Sequence, residues 1–327
     1  MRAILISSHG GPDVLKVADR PDPVPNLDQV LIEVKAFGLN HAEIYFRSGA
    51  WGDVAEITGI ECVGLVRHDP RNQFRVGQKV IALVGGLGRD LNGSYAELVA
   101  APRSNVVTFD TELSWAELAA LPESYATAWS ALMTILHISP GQSLLVRGAT
   151  SALGQAAVNI AHHLGLHVLG TTRQQDRFAY LEALGVDEVF LEGEGLSHRV
   201  RSKHPDGVDA VLDIIGNRTI LDSLAALKRG GEVCQVGFLG GGGPLALEPV
   251  FQIPSGRKLS VFASALVLGG PEFPLSEIPF QKIVRHVEQG AYKAKPARVF
   301  DFEDIVEAHR LIEAGTTFGK LVVQVGV

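Results

Sequence analysis

Leu144-Leu145-Val146-Arg147-Gly148-Ala149-Thr150-Ser151-Ala152-Leu153-Gly154 decides how this 327-residue chain folds. An apolar run of strand length enters a turn of small residues. Ala156, Ala157, Ile160, Ala161 and Leu164 then fall on one face of a helix over 152–164. Small residues in such a turn let backbone N–H groups approach a pyrophosphate at the helix N-terminus. The dinucleotide fingerprint G-x-G-x-x-G is met in part, because its three glycine positions hold Ala149, Ser151 and Gly154. Residues Ala149, Thr150, Ser151, Ala152, Leu153 and Gly154 are therefore the expected phosphate cradle, with the Ser151 hydroxyl as a further donor. The next strand, His167–Thr171, runs into Thr172-Arg173, with Arg177 following. An NAD enzyme usually places Asp or Glu there, on the ribose 2′-hydroxyl. Here that carboxylate is missing and guanidinium groups could pair with a 2′-phosphate, so Thr172, Arg173 and Arg177 point to NADPH; Asp176 is the nearby opposing charge.

Outward from this turn the series continues in alternation. Helix 177–184, strands 188–191 and 210–214, helix 219–227 and strands 232–236 and 259–263 predict a doubly wound parallel sheet. Residues 1–120 read differently, as short Val/Ile/Leu strands between turn clusters such as His9-Gly10-Gly11-Pro12-Asp13. Ser114 and Glu117 form a capping-box pattern closed by Pro122, and a helix is expected over about 124–137. After residue 267 come two amphipathic helices and a last strand, 319–325. The expected organisation is one discontinuous domain, 1–122 with 267–327, and an inserted dinucleotide domain, 123–266.

Composition narrows the function classes. Apolar residues are 46% and charged residues 20%, as in ordinary globular proteins, and the net charge is −7. A mildly acidic chain has no global attraction for nucleic acid or an anionic membrane surface. Cys62 and Cys234 are too few for a zinc finger or disulfide framework and read as core hydrophobes. The eleven histidines look scattered, with His162-His163 a helix-surface pair. The apolar opening Met1–Ile6 ends too soon for a signal sequence, so a cytoplasmic protein is expected.

Several further stretches carry a resemblance: Ala36-Phe37-Gly38-Leu39-Asn40, Tyr45-Phe46-Arg47-Ser48-Gly49, Gly59-Ile60-Glu61, Gly93-Ser94-Tyr95-Ala96-Glu97, Ala119-Ala120-Leu121-Pro122, Thr127-Ala128-Trp129, Gly230-Gly231 through Gly237, and Gly319-Lys320-Leu321-Val322. In this order, over nearly the whole chain, they resemble the zinc-independent quinone oxidoreductases, the zeta-crystallin-like branch of the medium-chain dehydrogenase/reductase superfamily. The resemblance implies a Rossmann domain inserted in a GroES-like, partly open β-barrel. Where the superfamily's zinc-dependent alcohol dehydrogenases hold a catalytic Cys and His, this chain has Asn40 and Ile60, which cannot supply a tetrahedral zinc set. It departs from its own branch at Ser151 and Ala152, where glycines are usual, and at Trp51-Gly52.

The resemblance also implies a chemistry. Hydride addition leaves negative charge on a substrate oxygen, and without a metal hydrogen-bond donors must stabilise it. Asn40 and Tyr45 are the candidate catalytic donors; Asn40 could instead cap a local turn and Tyr45 could be cleft wall. Arg47 is a lesser candidate, to guard the site or pair with Glu43 or Glu61, and His41 a candidate relay. Thr127 is expected near the nicotinamide, with Gly237 and Phe238 lining the cofactor cleft. The expected reaction is NADPH-dependent reduction of a quinone or α,β-unsaturated carbonyl (enone). Reduction of 2-enoyl thioesters and a non-catalytic NADPH-binding role remain open alternatives. Finally, Lys258 to Leu268 is a long apolar run that strand order 3-2-1-4-5-6 leaves at the sheet edge, so a homodimer paired through residues 258–266 is expected.

Overall fold

The computed structural model describes residues 1–326. The chain divides into two compact units. The first comprises Met1–Ala126, Ala265–Gly290 and Ala294–Val327; the second comprises Thr127–Ser264 and Ala291–Lys293. Pro122 opens the helix Pro122–Trp129, and residues Ser130–Ile135 continue it as a π-helical turn. Proline suits that first turn because its missing N–H has no intrahelical partner there anyway.

In the first unit, β1 (Arg2–Ile6) and β2 (Leu15–Asp19) form an antiparallel ribbon. The larger sheet is built from β3 (Gln29–Gly38), β4 (Glu61–His68), β5 (Lys79–Leu83), β6 (Leu98–Pro102), β7 (Val106–Thr108), β14 (Arg298–Asp301) and β15 (Leu321–Gln324). Its path is β14-β15-β3-β4-β5-β7, with β6 also paired to β3. Along β3, Val30, Ile32, Val34 and Ala36 are buried and alternate with partly exposed residues, the period of a strand with one face on a core. Phe37 stacks on Tyr95 at 4.4 Å between ring centres, and Phe302 meets Phe37 edge-on. Ile305 and Ala308 of the helix Ile305–Ala314 join this core.

The second unit is a six-stranded sheet of β8 (Ser143–Arg147), β9 (His167–Thr172), β10 (Glu188–Leu191), β11 (Val208–Asp213), β12 (Leu227–Gln235) and β13 (Lys258–Val261). All pairings are parallel and the order is β10-β9-β8-β11-β12-β13, which is the 3-2-1-4-5-6 order of a dinucleotide fold. Leu145, Leu169, Val211 and Val233 are fully buried, as expected of strands covered on both faces. The expected edge strand is shorter than its apolar run. It stops at Val261, Phe262 turns into the interior, and Ser264–Val267 is helical. The Phe262 N–H still donates to the Gln235 carbonyl at 2.9 Å, but the chain then leaves the sheet, so residues 262–266 are not edge strand.

Candidate active site

The strand ends of the second unit bring the nucleotide-binding candidates to one side of its sheet. Asp213 lies in register with Arg147 on β8 and with Gln235 on β12. Past Arg147 the chain turns, and the helix Ala152–His163 starts with Ser151 as its cap. Gly154 has no room for a side chain: a Cβ there would lie 2.4 Å from the Gly148 carbonyl oxygen and 2.7 Å from the Ala149 Cα. The Ser151 hydroxyl accepts from the Gly154 N–H at 3.0 Å and donates to the Gly148 carbonyl at 2.8 Å. In this structure its hydrogen is directed to the turn's own backbone. The N–H groups of Ala152 and Leu153, first in the helix, have no intrahelical acceptor and are the donors this turn offers an anion. The carbonyl of Thr150 is held by the Gln155 amide at 3.0 Å.

Long-range bonds fix this turn in ways the sequence did not announce. The Gly148 N–H donates to Thr171 Oγ1, and the Thr171 hydroxyl donates to Glu192. Glu192 is ion-paired with the buried Arg147, which also reaches Asp222 at 2.9 Å. Asp213, wholly buried, accepts from the N–H groups of Ile215 and Gly216 and the hydroxyls of Thr219 and Ser223. It thus shapes the loop after β11. That loop is zipped to the one after β12 through Leu239 N–H to Ile214 O and Gly240 N–H to Ile215 O, flanking Gly237 and the part-exposed Phe238.

At the end of β9, Arg173 is exposed while Arg177 closes the short turn Gln175–Arg177 and is buried. Thr172 Oγ1 accepts from the Gln174 N–H at 3.3 Å and holds the bend between them. Burial, with repulsion from Arg173, lowers the pKa of Arg177 despite the opposing pull of Asp176. The Arg173 guanidinium is thus close enough to disfavour the charge on Arg177, a setting that an anion relieves. Thr127 is buried in the helix Pro122–Trp129.

The first unit holds the other candidates. Asn40 caps the helix His41–Ser48, and its N–H donates to Glu43 at 2.7 Å. Its amide donates to Glu61 at 2.9 Å, with Glu43 at 3.5 Å, and its amide oxygen accepts from Lys320 at 2.5 Å. Glu61 also accepts from the Glu123 N–H and pairs with Lys320. Both carboxylates are completely buried and Lys320 nearly so. Burial pushes the Glu43 carboxyl up to about 7; the Ile60 N–H and Lys320 pull it down, and Glu61 adds to the rise. Gly38 packs over the cluster, where a Cβ would come within 2.4 Å of the Lys320 side chain. The local cue to Glu43 was its place three residues after Asn40; nothing local marks Lys320 as its neighbour.

Tyr45, on the same helix, is half-buried beside Trp51, with ring centres 4.9 Å apart. Burial raises its phenol pKa, so the hydroxyl stays protonated and able to donate at neutral pH. Arg47 does not fill the role envisaged for it. It is fully buried, hydrogen-bonded to the Gly10 carbonyl, ion-paired with Glu313, and 3.3 Å from His309 Nδ1. Burial, then Lys320, lowers the pKa of His41.

Residues 26–111 match the alcohol dehydrogenase GroES-like domain family, and residues 152–274 match the zinc-binding dehydrogenase family. A quinone oxidoreductase of Mus musculus is 30% identical over 98% of this chain and 97% of its own length. This chain belongs to the quinone oxidoreductase branch of the medium-chain dehydrogenase/reductase superfamily. Among solved structures, an NAD-dependent alcohol dehydrogenase superposes with a TM-score of 0.84 at 30% identity, covering 100% of both chains. A mycobacterial protein complexed with NADPH gives 0.87 at 25% identity, over 99% of this chain and all of that one. This superfamily member is accordingly an oxidoreductase with a GroES-like N-terminal domain and an NAD(P)-binding fold. Among its described residues, no helix is long and apolar enough to cross a membrane.

Proposed function

We propose that this oxidoreductase uses NADPH to reduce quinones or α,β-unsaturated carbonyls, without a catalytic metal. The observation that carries the cofactor reading is the Arg173–Arg177 pair at the end of β9, with no carboxylate at the 2′-hydroxyl position. The mycobacterial relative solved with NADPH supports it, and the mouse quinone oxidoreductase supports the substrate class. For the absence of zinc the support is chemical. Ile60 has no ligand atom, and Asn40 has its amide committed to Glu61 and Lys320.

When bound, NADPH would supply the hydride for the conjugated acceptor. The chain's own residues supply the rest. The N–H groups of Ala152 and Leu153 would hold the pyrophosphate and Thr172, Arg173 and Arg177 the adenosine end, with Thr127, Gly237 and Phe238 as the walls. Tyr45 donates to the oxygen on which charge develops. Asn40 is a positioning residue in this reading: it starts the helix that carries Tyr45. In this reading residues 1–122 with 267–327 form the catalytic and substrate domain, and the inserted 123–266 the NADPH-binding domain. A cytoplasmic homodimer completes the proposal, paired along the β13 edge, where Val261 is 67% exposed.

The test is loss of NADPH absorbance with a panel of quinones, enones and enoyl thioesters, in the presence of a chelator. Turnover of quinones or enones is expected, with NADH at least roughly tenfold poorer. NADPH binding without turnover of any acceptor would leave a binding protein, a strong preference for thioesters would move the chain to the enoyl reductases, and activity lost in chelator would refute the metal-free mechanism.

A further inference from the structure

The histidines are not all scattered. His167 Nε2 lies 2.8 Å and His204 Nε2 2.7 Å from the same oxygen of Glu188, and the three ligand atoms fall within 4.8 Å of one another. We propose that His167, Glu188 and His204 form a binding site for one divalent transition-metal cation of the zinc class, far from the nucleotide turn and independent of the hydride chemistry.

Three rigid elements supply the ligands. His167 is the first residue of β9 and Glu188 the first of β10. His204 ends the helix Leu196–Lys203, its N–H bonded to the Val200 carbonyl at 2.8 Å. Because the strands are parallel and the nucleotide turn follows the end of β8, these residues, at or near the strand starts, sit at the opposite end of the same sheet's strands.

The hydrogen positions argue for a cation. A carboxylate oxygen cannot donate, so both Nε2 atoms must carry hydrogen when nothing else is bound. Yet His167 Nδ1 also faces a carboxylate, Asp187, at 3.5 Å. A neutral imidazole carries hydrogen on one ring nitrogen and a lone pair on the other. A metal ion in place of the Nε2 hydrogens keeps Nδ1–H for Asp187. The result is a carboxylate–histidine–metal arrangement, with Asp187 itself fixed by the Val168 N–H at 2.7 Å. Two imidazoles and one carboxylate suit zinc, whose ligand bonds of about 2.0–2.2 Å put ligand atoms roughly 3.3 Å apart in a tetrahedron. Opening the present contacts by about half an ångström needs small side-chain rotations. Lys203 occupies the other Glu188 oxygen at 3.0 Å, which leaves the carboxylate one ligand atom and adds an opposing charge. His167 is 43% exposed, so water can complete the shell. Bound there, the ion would tie the edge strand β10 to the helix ending at Lys203.

Titration calorimetry of the full, metal-stripped chain with zinc chloride at pH 7.5 tests this. One equivalent per chain is expected, with a rise in melting temperature. His167→Gln, on a half-exposed side chain, should weaken binding at least tenfold, and so should His167→Gln/His204→Gln, with circular dichroism reporting that each variant is folded. Absence of stoichiometric binding by the wild-type chain would overturn the proposal. So would unchanged affinity in a folded His167→Gln chain, because the ion would then sit elsewhere.

Discussion

The nucleotide turn of the second unit and the buried cluster of the first solve opposite problems. In the turn, the groups offered outward are backbone N–H groups, and the side chains serve to shape the loop; Ser151 spends its hydroxyl on residues three positions away on either side. In the cluster, two fully buried carboxylates and a buried lysine are gathered from residues 43, 61 and 320 around the amide of Asn40. The turn is local and rests on a helix start. The cluster is non-local and rests on charge compensation in a low-dielectric interior, where losing one partner is severe.

The largest effect is therefore expected from Lys320→Met. It strands Glu61 and Glu43 without their cation and should cost about 3–5 kcal/mol in urea unfolding. A loss under about 1 kcal/mol would mean the carboxyls take up protons freely and the cluster carries no net charge. The protonation of Glu43 can be read separately. Its folded pKa, raised to about 7, exceeds the value near 4.5 of an unperturbed carboxyl. The folded state then holds more protons than the unfolded chain between those limits, so stability should fall as pH rises from about 4.5 to 7 and level off above. Glu43→Gln should flatten that decline in a pH series of melting temperatures, and an unchanged slope would place its origin in another group.

Next in size, Tyr45→Phe should lower kcat by roughly 10²-fold with NADPH affinity little changed, as for other lost oxyanion donors. An unaltered kcat would make Tyr45 a wall of the site. Arg173→Ala should weaken NADPH about tenfold in a fluorescence titration and leave NADH alone, a loss near 1.4 kcal/mol in binding. Equal losses for both cofactors would detach Arg173 from the 2′-phosphate. The smallest effect is expected at Ser151. Removing this cap by Ser151→Ala should cost about 1 kcal/mol of stability, with phosphate affinity nearly kept because Ala152 and Leu153 supply the donors. A large selective loss of cofactor affinity would restore the hydroxyl to phosphate binding.

The difference between the two regions is also the difference between what could and could not be read in advance. Strand β8, the turn and its helix follow from apolar periodicity and small residues within about twenty positions, because helix starts and strand runs are written by neighbours in sequence. The alternation of strands and helices likewise determined the parallel sheet and its order, with β13 at the edge. Sequence alone also identified Gly154 as a place for close approach, and placed arginines where a carboxylate would mark NAD. Only the tertiary structure decided that Arg47 is a buried strut, that Asn40 spends its amide on Glu61, and that Glu192 and Thr171 brace the nucleotide turn. It alone cut the edge strand at Val261, since Phe262 finds its burial in the fold and not in its neighbours. It also brought His167 and His204 to one carboxylate from 37 positions apart. Side-chain partners of this kind are chosen by which strands lie next to each other, and a single sequence specifies strands far more directly than it specifies their neighbours.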